Sequence, residues 1–244
     1  MSRAKAWFLG GGPGAPDLLT LRATRAIAEA DIVIWGSRHV MEGVVTEHAQ
    51  PSAELIPWPP ATMEDLLGAY ERAAENDLVV ARLIGGDPAV YVSMSEEIER
   101  ARELELPYEV VPGVGALSAA AAALGGELVT ARTDETLLIV SPKAEIERLA
   151  DPAVTIAVYM AGRSEVDLQQ RLLAGGYPPE TPCAVFSRLT WPDEAALECR
   201  LDQLADRLDE LGAELGDENF GRQTLLLAGP TVGRGSHPPA CRDL

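Results

Sequence analysis

The sequence predicts an α/β protein of two domains, the first on a mainly parallel sheet and the second on a mixed one. Three observations carry that reading. Up to about residue 112, short apolar runs alternate with helix-like stretches, and strands separated by helices pair in parallel through right-handed crossovers. Three of those runs end in glycine-rich loops, where open α/β sheets bind ligands. Later, the strand-like runs 183–187 and 195–200 follow one another across the turn Trp191-Pro192-Asp193-Glu194, so that part of the sheet is antiparallel. The expected divisions are 1–118, 119–232 and a loose tail from 233 to 244.

The elements follow in order. Ala6-Trp7-Phe8-Leu9 reads as a short buried strand, and Leu18 to Ala30 has apolar residues at helical spacing. Asp31 to Trp35 is a second strand, stopped at Gly36. Glu54-Leu55-Ile56 is a third, closed by the prolines at 57, 59 and 60. Thr62 is placed to cap a helix, with Asp65 at the capping-box position. The apolar run from Asp77 to Ile84 reads as a central strand. Ser93 to Leu104 is helical, and Tyr108 to Val111 is a strand cut by Pro112-Gly113. A helix of small residues, 115–124, ends at Gly125-Gly126. Strands are then expected at 136–140, 154–160, 183–187, 195–200 and 224–228, with helices at 165–173 and 201–215.

Composition limits the function classes. The formal charge of −18 opposes general affinity for nucleic acid or anionic membranes. No apolar run is long enough to span a bilayer, and the first strand begins too early to leave room for a signal peptide. Cys183, Cys199 and Cys241 have no CxxC spacing, so neither a disulfide framework nor a zinc site is expected. Together these point to a soluble cytoplasmic protein with no metal. Only Lys5 and Lys143 are lysines, so any anionic substrate must be met by arginines.

The first loop, Gly10-Gly11-Gly12-Pro13-Gly14-Ala15-Pro16-Asp17, is open to two readings besides a plain tight turn. Gly10-x-Gly12-x-x-Ala15 matches the dinucleotide pattern, with Arg38 placed to meet an NADP 2′-phosphate. Against this, Pro13 and Pro16 lack the N–H groups a pyrophosphate needs. The second reading takes the loop together with Gly85-Gly86-Asp87-Pro88 and Val111-Pro112-Gly113-Val114-Gly115-Ala116. Three glycine-rich strand ends of one sheet would make a backbone-lined pocket, in which Asp87 offers an acceptor for ribose hydroxyls or an ammonium group.

Those three stretches, in that order and spacing, resemble the tetrapyrrole (precorrin) methyltransferases over about residues 5–230. Tyr177 to Pro182 and Thr190 to Glu194 resemble the branch that methylates precorrin-4 at C11. Gly36-Ser37-Arg38-His39 is closer to the C5/C15-methylating branch, and Ser141-Pro142-Lys143 departs from the C11 pattern. The resemblance implies S-adenosylmethionine folded between the two domains, and a homodimer. Pro13, Gly85, Gly86, Asp87, Val90, Gly115 and Ala116 would hold the cofactor, with Met160, Arg188 and Thr231 from the second domain. Arg38, His39 and Arg132 are the candidates for the carboxylate-rich substrate, with Arg163 and Arg188 as further arginines of the same kind. No catalytic acid or base is assigned. The alternatives are another methyltransferase of the same family, such as the C5/C15 branch, and from other classes a NADP-dependent oxidoreductase and a catalytically silent ligand-binding relative.

Overall fold

Five parallel strands form the sheet of the N-terminal half in the computed structural model, which describes residues 2–129, 135–162, 167–216, 220 and 223–233. In chain order they are β1 (Lys5–Gly10), β2 (Ile32–Gly36), β3 (Glu54–Trp58), β4 (Val79–Ile84) and β5 (Tyr108–Val111). Their spatial order is β3-β2-β4-β1-β5, and every pairing is parallel. β4 is central and buried along its whole length. β3 lies at the edge, where Pro57 removes no needed ladder bond.

The connecting helices are α1 (Leu21–Glu29), α2 (Glu42–His48), α3 (Met63–Asn76) and α4 (Ser95–Glu103). α1 and α2 bury Ala23, Ile27, Val44 and Val45 against Leu9, Val33 and Leu83 on one face. α3 and α4 bury Leu66, Tyr70 and Ala101 against Phe8, Ile34, Val80 and Ile84 on the other. The chain therefore leaves β4 toward the opposite face from its neighbours β1 and β2. This reversal makes the carboxyl end of β4 the switch point of the sheet.

The capping box expected at Thr62 is present: Thr62 Oγ1 accepts from Asp65 N at 3.2 Å, and Asp65 Oδ2 accepts from Thr62 N at 2.7 Å. One expectation is corrected and one element is new. The first helix begins at Leu21 rather than Leu18, because Pro16–Leu18 forms a 3-10 turn and Thr20 then caps the helix by accepting from Ala23 N at 3.1 Å. α2 has no counterpart in the sequence reading. It spans seven residues, includes Gly43 and holds its place by burying the β-branched pair Val44-Val45.

The chain divides into two compact units between Ala116 and Leu117, at the start of α5 (Ala116–Ala123). The second unit contains β6 (Leu137–Val140), α6 (Ile146–Leu149), β7 (Thr155–Tyr159), α7 (Leu168–Ala174), β8 (Pro182–Ser187), β9 (Ala195–Arg200), α8 (Leu204–Leu215) and β10 (Thr224–Ala228). The sheet order is β6-β7-β10-β8-β9; β6 pairs with β7 in parallel and the other pairings are antiparallel, so the sheet is mixed. Its core is an aliphatic cluster including Ile156, Val158, Leu168, Leu172, Leu204 and Leu226. Asp167 caps α7 by accepting from Gln170 N at 2.9 Å. No helix of the described residues is long and apolar enough to cross a membrane.

Candidate functional site

The carboxyl ends of β1, β4 and β5 meet through their glycines. A Cβ on Gly10 would lie 2.5 Å from Gly113 N and 2.9 Å from Gly86 O; one on Gly113 would lie 2.8 Å from Gly10 Cα and closer still to Gly86 O. Gly12 (φ +74°) and Gly86 (φ +70°) form a two-way bridge, with Gly86 N donating to Gly12 O at 2.7 Å and Gly12 N to Gly86 O at 3.3 Å. Gly11 N donates to Ile84 O at 2.6 Å.

The expected backbone-lined pocket is thereby corrected in one respect. The amides of Gly11, Gly12 and Gly86 are spent joining strand ends, because the missing side chains let the backbones come within bonding distance of one another. The same geometry removes the dinucleotide reading. The Gly10–Gly12 amides do not form a pyrophosphate cradle, and the loop leads into the 3-10 turn at Pro16 rather than an α-helix N-terminus.

Around this glycine junction the structure brings most of the first unit's candidate residues together. Pro13 follows Gly12 directly. Gly85 lies against His39, where an added Cβ would meet the histidine Cβ at 2.5 Å. Gly86 faces the Ala116 N–H, and Gly115 lies beside Asp87. Asp87 is half-buried; among the described residues its one side-chain hydrogen bond is from Ala89 N to Oδ1 at 2.9 Å, so the second oxygen can accept from a ligand. Val90 follows and is 49% exposed. Arg38 is exposed at the end of β2 and forms no ion pair among the described residues.

Between β4 and α4 lies a buried charged pair within a run that reads as apolar. Arg82, on β4, is 3% exposed, and Glu97, on α4, is 1% exposed. Arg82 Nε donates to Glu97 Oε2 at 2.9 Å and Oε1 at 3.2 Å, while Tyr70 Oη donates to Glu97 Oε2 at 2.7 Å. Burial, and then the Glu97 charge, push the Tyr70 hydroxyl well above its ordinary pKa, which keeps it a proton donor. An arginine inside the Val79–Ile84 run was the available signal.

In the second unit, Met160 and Arg188 follow the ends of β7 and β8 and flank the start of β10. Ala161 N donates to Thr224 O at 3.0 Å and Arg188 N to Gln223 O at 3.2 Å. Both residues are left-handed, with φ of +56° and +52°, and Thr190 is at +65°. Such conformations cost a non-glycine residue about 1–2 kcal/mol, and they cluster where geometry serves a site. The Arg188 guanidinium bonds to Asp193 Oδ1 at 2.7 Å and Gln223 Oε1 at 3.1 Å, and lies 4.1 Å from the Trp191 ring centroid.

Thr231 is not brought to this end of the sheet. Its hydroxyl lies 2.7 Å from that of Thr155, at the start of β7, five residues and about 15 Å of strand from Met160. Arg132 and Arg163 lie outside the described residues. Among the described residues, no cluster of three His, Cys, Asp or Glu side chains could hold a metal ion.

A doubly wound sheet whose strand ends are joined by glycines at its switch point, followed by a mixed-sheet unit, defines a two-domain α/β protein. Residues 5–205 match the tetrapyrrole (corrin/porphyrin) methylases, and the chain belongs to that family. Precorrin-4 C(11)-methyltransferase of Mycobacterium tuberculosis (strain ATCC 25618 / H37Rv) is 32% identical over 213 residues, covering 84% of each chain. The X-ray structure of a cobalt precorrin-4 methyltransferase is similar with a TM-score of 0.84 and 27% identity, over 95% of this chain and 97% of that one. Uroporphyrin-III C-methyltransferase from Thermus thermophilus, complexed with S-adenosyl homocysteine, has a TM-score of 0.74 and 28% identity, over 93% and 98% of the two chains. This membership overturns the oxidoreductase alternative.

Proposed function

We propose that the protein methylates precorrin-4 at C11, with S-adenosylmethionine as donor. The observation that carries the reading is the close junction of Gly10, Gly12, Gly86 and Gly113 at the carboxyl ends of β1, β4 and β5, with Asp87 and Val90 on the connection that leaves it. The M. tuberculosis relative and the cobalt precorrin-4 methyltransferase support the substrate, and the uroporphyrin-III methyltransferase complex supports the donor class. The residues present fit such a cofactor: Asp87 has an acceptor oxygen for hydroxyl or ammonium groups, and Val90 offers apolar surface beside it.

When bound, the cofactor supplies a methyl group on a sulfonium, already activated for transfer. Pro13, Gly85, Gly86, Asp87, Val90, Gly115 and Ala116 would hold it, and Met160 and Arg188 are the second unit's own candidates. Thr231 is left out of that set, because it lies at the start of β7, at the other end of the strand from Met160. The protein's contribution is alignment and exclusion of water rather than acid–base chemistry. Arg38, His39 and Arg132 meet the carboxylates of the tetrapyrrole, the two arginines as local cations against a global charge of −18. The same reading makes the enzyme a cytoplasmic homodimer, checked by light scattering on the purified protein.

Titration calorimetry with S-adenosylhomocysteine tests the donor site. Micromolar binding by the wild type, weakened at least tenfold in Asp87→Ala, is the expected result; no binding by the wild type overturns the reading. Incubation with precorrin-4 and labelled donor, followed by NMR of the product, tests the regiochemistry. A methyl group on any carbon other than C11 overturns that part alone.

A further inference from the structure

Arg82 and Glu97 form the one ion pair among the described residues in which both side chains are fully buried. Their places in the chain bracket the segment 85–94, which carries Gly85, Gly86, Asp87 and Val90. Arg82 lies three residues before that segment, on the strand that delivers it, and Glu97 lies three residues after it, in the first turn of α4. The pair therefore closes the loop at its base. Three more contacts fix the pair itself. Arg82 Nη1 donates to Leu83 O at 2.9 Å, the guanidinium lies 5.2 Å from the Trp58 ring centroid, and Tyr70 Oη holds Glu97 from α3. Trp58 ends β3, and its carbonyl accepts from Ser37 N at 3.0 Å, beside Arg38.

We propose that the Arg82–Glu97–Tyr70 network is a positioning device that sets Asp87 and Val90 for the cofactor and ties them to the β2 and β3 ends. The proposal rests on the donor site described above. Its physical basis is that a buried ion pair is poor evidence of net stabilisation: well-packed apolar residues of similar volume often replace one without loss. What such groups can add is a single geometry: both Glu97 oxygens accept from the one Arg82 Nε–H, while Leu83 O holds Nη1 and Tyr70 Oη holds Oε2, whereas aliphatic side chains slide. Here the network sits where sliding would move the loop that bears the ligand contacts.

The test replaces the pair by apolar residues, Arg82→Met with Glu97→Leu, in the full chain. Ile27→Ala on α1, on the opposite face of the sheet, serves as the control for plain destabilisation. The expected result is S-adenosylhomocysteine affinity lowered at least tenfold in the double variant, with faster amide exchange in residues 85–94. The control keeps wild-type affinity whatever melting temperature it loses. A folded double variant that binds within twofold of wild type overturns the proposal, as does a control that loses affinity in step with its stability. If the double variant fails to fold, Tyr70→Phe decides: it deletes one hydroxyl, and affinity lowered about threefold supports positioning while unchanged affinity overturns it. A wild type that does not bind at all counts against the donor site itself, so the two failures are distinguishable.

Discussion

Placing a methyl group on Gly113 probes the junction of the three strand ends directly. The new Cβ would stand 2.8 Å from Gly10 Cα and closer than that to Gly86 O, and both are backbone atoms. Ordinary carbon–oxygen contacts begin at about 3.3 Å, so the β4 or β5 end must move by several tenths of an ångström. Gly113 is not left-handed, so no conformational penalty enters. Replacing a glycine by alanine at a compatible backbone position stabilises by about 0.4–1 kcal/mol through the unfolded state. Overpacking a rigid site costs about 1–3 kcal/mol or more, and backbone on two sides places Gly113→Ala at the upper end. The clash therefore wins by about 2 kcal/mol. For a unit of this size that lowers the melting temperature by about 8 °C, read by scanning calorimetry. S-adenosylhomocysteine affinity falls with it, since the same shift displaces Gly85–Asp87. Gly115→Ala separates the two effects. Its Cβ would lie 3.6 Å from Asp87 Cβ, an ordinary contact, so stability holds while affinity falls by crowding the ligand. A Gly113→Ala protein melting within 2 °C of wild type, by about the precision of such scans, would refute the close-packed junction.

Two further perturbations reach other parts of the chain. Arg38→Ala removes an exposed side chain with no ion pair among the described residues; the Michaelis constant for the tetrapyrrole should rise severalfold, with kcat, donor affinity and melting temperature unchanged, and an unchanged constant would remove Arg38 from the substrate site. In the second unit, hydrogen bonds from Arg171 hold the Glu147 carboxyl at a pKa of about 2, below its ordinary 4.5. A depressed acid contributes stability that is whole above pH 4.5 and lost as pH falls through about 2. The melting temperature of wild type should therefore exceed that of Glu147→Gln at pH 6, with the gap closing near pH 2; a gap independent of pH would refute the pairing.

How much of this was legible in the sequence depended on range. Local signals held: the Thr62–Asp65 capping box, the strand at 79–84 and the turn at 191–194 each rest on neighbours in the chain. α2 was hidden because a seven-residue helix with a glycine and two valines is stabilised by burial, which periodicity over so short a window does not reveal. The candidate residues at the β1, β4 and β5 ends were legible as glycine-rich stops. Their mutual contact was not, since Gly10, Gly86 and Gly113 are far apart in sequence and meet only through the strand order. Thr231, a candidate through the family resemblance alone, lies near the start of β7, where its hydroxyl is 2.7 Å from that of Thr155.

The division of labour at the glycine junction follows from one accounting of hydrogen bonds. Had the glycine loops kept their amides for a ligand, recognition would have been a matter of backbone donors, as in phosphate-binding turns. Here Gly11, Gly12 and Gly86 give those amides to the neighbouring strand ends, which makes the floor of the site rigid. On the proposed reading, discrimination comes from groups standing on that floor: the second carboxylate oxygen of Asp87, the exposed face of Val90 and the strand-end side chains beside them. Such groups sit on a ten-residue connection, which is mobile unless something restrains both of its ends. At one end the β4 strand is held by its neighbours along its whole length. At the other, α4 is joined to that strand through Glu97 and Arg82, and to α3 through Tyr70. Glycines that fix the floor and a buried ion pair that fixes the loop are thus complementary demands of one site, and each is testable by a substitution that leaves the other in place.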